Sequence, residues 1–274
     1  MSTASVEIAP RHGGFTRLVG RRARDWVPAL VVFVLGIGIW EGYVRGFDVG
    51  SFLLPAPSAI VETLGNDLDF FFSAGWFTFK EALGGFAMGS GAGILAALVF
   101  ARWRRLRRAI MPYAIAANAI PIIAFAPITN NWFGVLNPLS KMAIAAVLCF
   151  FPVMVNTMRG LTSVRPAQIE LMRSYAASEL EIFRRVRAPN ALPYLFSALK
   201  VATVLAMIGA IVGDYFGGSD EALGINIRRF VGISAFEEAW AAIVVASVLG
   251  IAFYLAVAAA ERLATRWQPA VSNE

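Results

Sequence analysis

Long apolar runs alternate with short polar connections along this chain, and six such runs set its architecture. They cover about Trp26–Val44, Trp76–Ala101, Ile110–Thr129, Pro138–Met158, Pro193–Val212 and Glu238–Leu263. A helix needs about 20 apolar residues to cross the hydrocarbon core of a bilayer. It also satisfies its own backbone polar groups where no water can reach them. The pattern therefore predicts an all-α, polytopic membrane protein with six transmembrane helices.

The connections carry unequal charge. Arg11, Arg17, Arg21, Arg22 and Arg24 precede the first run, and Arg102, Arg104, Arg105, Arg107 and Arg108 separate the second from the third. Arg159, Arg165, Arg173, Arg184, Arg185 and Arg187 separate the fourth from the fifth, and Arg262 and Arg266 follow the sixth. The opposite connections hold Arg45, Arg228 and Arg229, and 129–137 holds no basic residue. Cytoplasmic connections carry the excess of Lys and Arg, so both termini and the connection 159–192 are expected in the cytoplasm. The domain organisation follows as a tail 1–25, a membrane domain 26–267 and a tail 268–274. The basic, polar start and the length of the first run argue against a cleavable leader.

Two runs are unusual inside. The second contains GGFAMGSGAG, with Gly85, Gly89 and Gly93 four residues apart, and Gly209 and Gly213 repeat the spacing in the fifth. Small residues at that period let helix backbones approach closely in lipid. They serve tight packing, or a sliding surface in a protein that changes shape. The third contains NAIPIIAFAPITNNW, where Pro121 and Pro127 each remove a backbone donor. Such breaks are tolerated beside other protein or a water-filled cavity. A translocation path beside Asn118 and a plain structural kink are both consistent with that.

Composition agrees: the chain is 58% hydrophobic and 15% charged, well below the quarter charged of soluble domains. The net charge of +6 belongs to arginines beside apolar runs, so it does not call for nucleic acid. One cysteine, Cys149, and one histidine, His12, exclude an intrachain disulfide, a multi-cysteine metal site and histidine catalysis in the core. No phosphate loop of the G-x-x-x-x-G-K-[ST] type occurs; GGSDEALG at 217–224 lacks the lysine.

The segment Glu170–Pro193, ELMRSYAASELEIFRRVRAPNALP, is polar and arginine-rich between two apolar runs. Connections of this length in a compact bundle are usually functional or disordered. Leu171, Tyr175, Ile182, Phe183 and Val186 give it helix-like apolar spacing, so a docking surface for a soluble partner competes with a solvated loop whose charges set topology. The segment resembles the signature of permease subunits of ATP-binding-cassette importers: Glu-Ala-Ala, three residues, Gly, nine residues, then Ile-x-Leu-Pro. Glu170 holds the glutamate position, Leu171 and Met172 replace the alanines, Ala176 replaces the glycine, and Val186, Ala188 and Pro189 fall at the end. Alanine at 176 disfavours a left-handed turn there. LLPAPSAI, IPIIAFAPITNNWFG, FFPVMVNTMRGL, PYLFSALKVA and the final GIAFYLAVAAAERLATRW also resemble the nitrate, sulfonate, taurine and pyrimidine-precursor branch of these permeases.

That resemblance implies a type I importer permease fold and a homodimer in the bacterial cytoplasmic (inner) membrane. Two ATPase subunits would bind below, carrying ATP and Mg, with no cofactor in this chain, and an extracytoplasmic binding protein would deliver the solute. It also implies a coupling helix near Ala177–Phe183, with Glu170, Ala176, Ala177, Ser178, Glu179, Ile182, Phe183, Arg184, Arg185 and Pro189 as the coupling residues. Early Glu179 and Glu181 and late Arg184, Arg185 and Arg187 suit a helix dipole. Mid-membrane polar or aromatic groups avoid lipid, which makes Asn118, Phe125, Asn156 and Ser197 candidates for the substrate pathway. Asp214, Tyr215, Arg228 and Arg229 are candidates for an outer gate, with an amphipathic segment expected within 214–238. Lys80 and Lys200 are the main positive charges in the spans, which speaks against an anion site, and IVGDYFGG, with Asp214 and Tyr215 near the outer mouth, leans toward a neutral or cationic ring compound. A stand-alone ion-coupled transporter is the alternative, supported by Glu41, Lys80, Glu81 and Asp214 near span ends. A membrane enzyme would lack any nucleophile motif or carboxylate pair at a common depth.

Overall fold

The structure, a computed structural model, describes residues 14–117 and 121–266. Residues 1–13, Asn118 and the C-terminal tail 268–274 lie outside the described residues. Among the described residues the chain is helical without strands. Five stretches of the described residues are long and apolar enough to cross a membrane: Val27–Gly46, Leu68–Arg102, Pro138–Thr162, Glu179–Phe216 and Phe236–Ala264.

Contacts divide the chain into residues 1–61 and residues 62–274. The first unit holds α1 (Gly14–Gly46) and the start of α2 (Pro57–Asn66). Glu41 near the end of α1 is committed locally. Its carboxylate accepts from the Ser58 N–H at 3.0 Å and the Ser58 hydroxyl at 2.7 Å, and it pairs with Arg45. Arg45 also donates to the Ser58 hydroxyl at 2.9 Å.

The second unit is built on α3 (Leu68–Arg102), α6 (Pro138–Thr162) and α9 (Ala188–Phe216). The buried faces of α3 and α9 are rich in glycine and alanine. A Cβ on Gly85 would stand 2.7 Å from the Met142 carbonyl, and one on Gly93 2.8 Å from the Phe150 carbonyl. On the other side of α6, a Cβ on Gly209 would stand 2.6 Å from the Ala145 Cα. Ala145 therefore touches both glycine stripes, and α6 is gripped from both sides. Without a hydrophobic driving force between helices in lipid, close van der Waals packing of this kind supplies the association. The reading of the stripes as tight packing is the one these contacts favour.

α11 (Phe236–Ala264) closes the bundle on α9 and α3, with Phe253 edge-on to Phe79 and Phe86 at 5.3 and 4.9 Å. Lys200 of α9 and Glu261 of α11 form an ion pair at 2.6 Å, which accounts for the lysine singled out in the fifth run. The third apolar run is not one helix. It is α4 (Arg104–Ala117), a 3-10 turn Ile122–Ala124 after Pro121, and α5 (Phe125–Phe133). Pro121 cannot donate a backbone hydrogen bond, and its φ and ψ of −62° and 109° are extended.

Candidate functional site

Two regions of the second unit gather chemistry: the hairpin between α6 and α9, and the far end of the bundle where α9 turns into α10 (Leu223–Gly232).

The hairpin begins with α7 (Pro166–Ser174), where Pro166 occupies the first helical turn and needs no donor. It ends in a Schellman arrangement: Ala176 N–H donates to the Arg173 carbonyl at 2.9 Å, and Ala177 N–H to the Met172 carbonyl at 3.1 Å. Ala176 has φ +55°. The expectation that alanine would avoid a left-handed turn here is thus corrected. Two satisfied carbonyls hold the conformation against an intrinsic cost of about 1–2 kcal/mol. The chain then restarts as α8 (Glu179–Ile182) behind a capping box. Ser178 Oγ accepts from Glu181 N–H at 3.3 Å, and Ser178 N–H donates to Glu181 Oε2 at 2.8 Å. Arg173 and Glu179 pair across the turn at 3.1 Å, both exposed.

A π-helical turn, Phe183–Arg187, carries α8 directly into α9, so Pro189 lies in the first turn of α9 rather than ending a loop. Asn190 fixes this joint by donating to the Gly160 carbonyl at 2.7 Å and the Ser163 hydroxyl at 3.1 Å. Ile182 was expected to face a partner, but it is 1% exposed and roots the hairpin in its own chain. Phe183 is half-buried beside Leu98, Ala101 and Leu161. The apolar side chains that face outward are Leu171, Tyr175 and Leu180, at 57, 77 and 57% exposure. Glu170, Ser178, Glu179, Arg184 and Arg185 are also exposed, and Ala177 is half-buried.

At the far end a buried polar cluster joins α3, α6, α9 and α10. Thr78, Glu81, Lys141 and Asp214 are each 3% exposed or less. The Thr78 hydroxyl donates to Asp214 Oδ2 at 2.8 Å and accepts from the Leu223 N–H at 2.9 Å. The Asp214 carboxyl also lies beside the Gly224 backbone N–H and the Glu81 carboxyl. Lys141 donates to the Val135 carbonyl and sets its positive charge against both carboxyls. Gly224 permits this approach: a Cβ there would stand 2.5 Å from the Asp214 Cβ. Asn226 tightens the turn before α10 by donating to the Asp220 and Ala222 carbonyls at 2.7 and 2.8 Å.

These positions revise several expectations. Of the outer-gate candidates, Asp214 is buried, while Tyr215, Arg228 and Arg229 are exposed. The amphipathic segment expected in 214–238 is α10, packed on α9, α11 and α3. Lys141 was not anticipated, although it shares a helix face with buried Ile144, Ala145 and Cys149. Lys80 is exposed, 5.4 Å from the centre of the Phe77 ring. Phe125, Asn156 and Ser197, the pathway candidates among the described residues, stand in different surroundings. Phe125 lines an apolar cavity of about 490 Å³ with Met88, Ala92, Ile122, Val147 and Phe151. Asn156 donates to the Pro152 carbonyl of its own helix at 2.9 Å, and Ser197 stands exposed on α9.

The sequence model of the family described as binding-protein-dependent transport system inner membrane component matches residues 89–268. A formylaminopyrimidine transport permease of Halalkalibacterium halodurans is 33% identical, over 90% of this chain and 98% of its own. A riboflavin transport system permease of Chloroflexus aurantiacus is 31% identical, over 89% and 92%. Among solved structures, an amino acid ABC transporter chain superposes with a TM-score of 0.57 at 16% identity, covering 75% of this chain and 97% of that one. That likeness is one of fold.

Proposed function

The chain belongs to the binding-protein-dependent transport system inner membrane component family, and from that premise we propose how it works as the permease subunit of an ABC importer. Two copies form the translocation path in the bacterial cytoplasmic membrane. Each copy docks one ATPase subunit through the 166–187 hairpin on the cytoplasmic side. Binding and hydrolysis of ATP belong to that partner, and an extracytoplasmic binding protein meets the opposite face around α10. The observation that carries the reading is the hairpin itself. It is rooted by Ile182 and Asn190, braced by a capping box, and presents Tyr175 and Leu180 to the surface. A rigid, rooted element with exposed aromatic and aliphatic anchors is the form in which a few residues carry most of an interface.

The proposed solute is a small nitrogen heterocycle. The relatives named for a formylaminopyrimidine and for riboflavin support this. The buried charge is also consistent, because Lys141 faces two carboxyls and leaves no surplus positive field for a sulfonate or nitrate. Thermal-shift screening of the cognate binding protein against pyrimidines, flavins, sulfonates and nitrate tests the choice. Stabilisation by the anions alone would overturn it.

The docking reading is tested by Leu180→Asp, alone and with Tyr175→Asp. The variants should insert and melt like the parent, since exposed substitutions usually shift stability by no more than about 0.5 kcal/mol. They should fail to co-purify with the ATPase. Retained co-purification and transport would refute the assignment.

A further inference from the structure

A separate cleft of about 390 Å³ opens between α4 and α6, at the end of the bundle that carries the hairpin. α4 contributes Arg107, Arg108 and Met111, and α6 contributes Val155, Met158, Arg159 and Thr162. The depth order follows from chain direction. α4 leaves this end, so Arg107 and Arg108 sit at the margin and Met111 a turn deeper. α6 arrives at it, so Arg159 and Thr162 sit at the margin and Val155 a turn deeper. The floor is firm, because Met111 and Val155 pack on the buried Ala97, Met154 and Met158.

The arginines have no internal counterpart. Ion pairs among the described residues join Glu41 to Arg45, Arg173 to Glu179 and Lys200 to Glu261. Thr162 donates its hydroxyl to the Met158 carbonyl of its own helix at 2.9 Å. The free donors at the mouth are therefore three guanidinium groups, whose planar forks suit phosphate oxygens. Topology alone asks only for basic residues somewhere in the connections. It does not ask three of them, from two helices, to converge over methionine and valine. A cationic rim above an apolar floor at the membrane boundary matches an amphiphile with an anionic head.

We propose that this cleft seats the phosphate of an anionic phospholipid of the cytoplasmic leaflet, with its acyl chains along Met111 and Val155. The leaflet rests on the orientation taken under the proposed function, and the lipid chemistry does not. A soluble phosphate would use the rim and ignore the floor, which separates the two sources.

The test is lipid retention by the purified full chain, read by native mass spectrometry with phosphatidylglycerol and phosphatidylcholine. Each guanidinium that contacts the seated headgroup is assigned about a fivefold contribution to its retention, the scale of one basic residue against an anionic lipid surface; arginines outside the cleft are assigned none, because the purified chain no longer faces that surface. Arg107→Gln with Arg159→Gln should therefore lower phosphatidylglycerol retention by roughly 25-fold. Arg105→Gln with Arg165→Gln, which removes the same charge outside the cleft, should leave it nearly unchanged. If the first pair fails to fold, the exposed Arg108→Gln alone should still give a loss of about fivefold. Equal retention of the two lipids, equal loss in both double variants, or displacement by millimolar inorganic phosphate would each overturn the site. Labelling of Thr162→Cys in a Cys149→Ser background reads sidedness independently. Reaction from the cytoplasmic side supports the leaflet, and reaction from the outer side overturns the orientation without touching lipid selectivity.

Discussion

At one end of the bundle Thr78, Glu81, Lys141 and Asp214 turn inward and take their partners from four helices. At the other end Arg173, Glu179, Glu181, Arg184 and Arg185 stand exposed, and their bonds run within a single hairpin. The same residue types therefore have opposite energetic weight. A buried charged group that loses its partner leaves the full desolvation penalty behind. An exposed pair loses only what water and salt have not already screened. Buried polar groups decide whether α10 stays on the bundle, and exposed ones decide what the hairpin presents.

The contrast breaks most sharply at Asp214. Asp214→Ala removes the acceptor of the Thr78 hydroxyl and one of the two carboxyls that face Lys141, and a loss of about 3 kcal/mol is expected. It should appear as a strongly lowered melting temperature in detergent and as fast amide exchange across α10. A variant that melts like the parent would show the cluster to be dispensable.

Next comes Ser178→Ala, which removes the cap of α8 and should cost about 1 kcal/mol locally. Proteolysis within 170–187 should quicken while the global melting point hardly moves. Ala176→Gly should act in the opposite direction by a similar amount. Glycine adopts φ +55° without the Cβ penalty, although it adds chain entropy to the unfolded state. Slower proteolysis of the same segment is the readout, and faster proteolysis would show that the left-handed turn is not what limits it. The smallest effect belongs to Arg173→Ala. An exposed pair of this kind contributes at most about 1 kcal/mol, and a melting shift comparable to that of Asp214→Ala would erase the distinction between the two ends.

Much of this was readable in the residues, for identifiable reasons. The long helices follow from runs of apolar residues that only a membrane or a large core can hide, and the hairpin from its arginine-rich interruption of them. The third run misled because hydropathy does not register a missing backbone donor, and Pro121 divides it into α4 and α5. Lys141 was missed because a lysine close to a helix start reads as an end group reaching for water. A test was available: Lys141, Ile144, Ala145, Cys149 and Val153 fall on one face, the buried one. Glu81 likewise shares its face with Thr78, Ala82, Gly85 and Gly89. The conformation of Ala176 could not be read from that residue, because it is imposed by carbonyls of α7.

α9 runs unbroken from Ala188 to Phe216, which at 1.5 Å per residue makes a rod of about 43 Å. It is held at one tip by Asn190, at the other by Asp214, and in between where Gly209 bears on Ala145. Further bearings lie along the same side, where Gly160 meets Ala191, Cys149 donates to the Ala202 carbonyl and Gly213 meets Ile144. A rod clamped at both tips and along one flank bends little, so the joint at Asn190 and the buried cluster at Asp214 are two ends of one stiff strut.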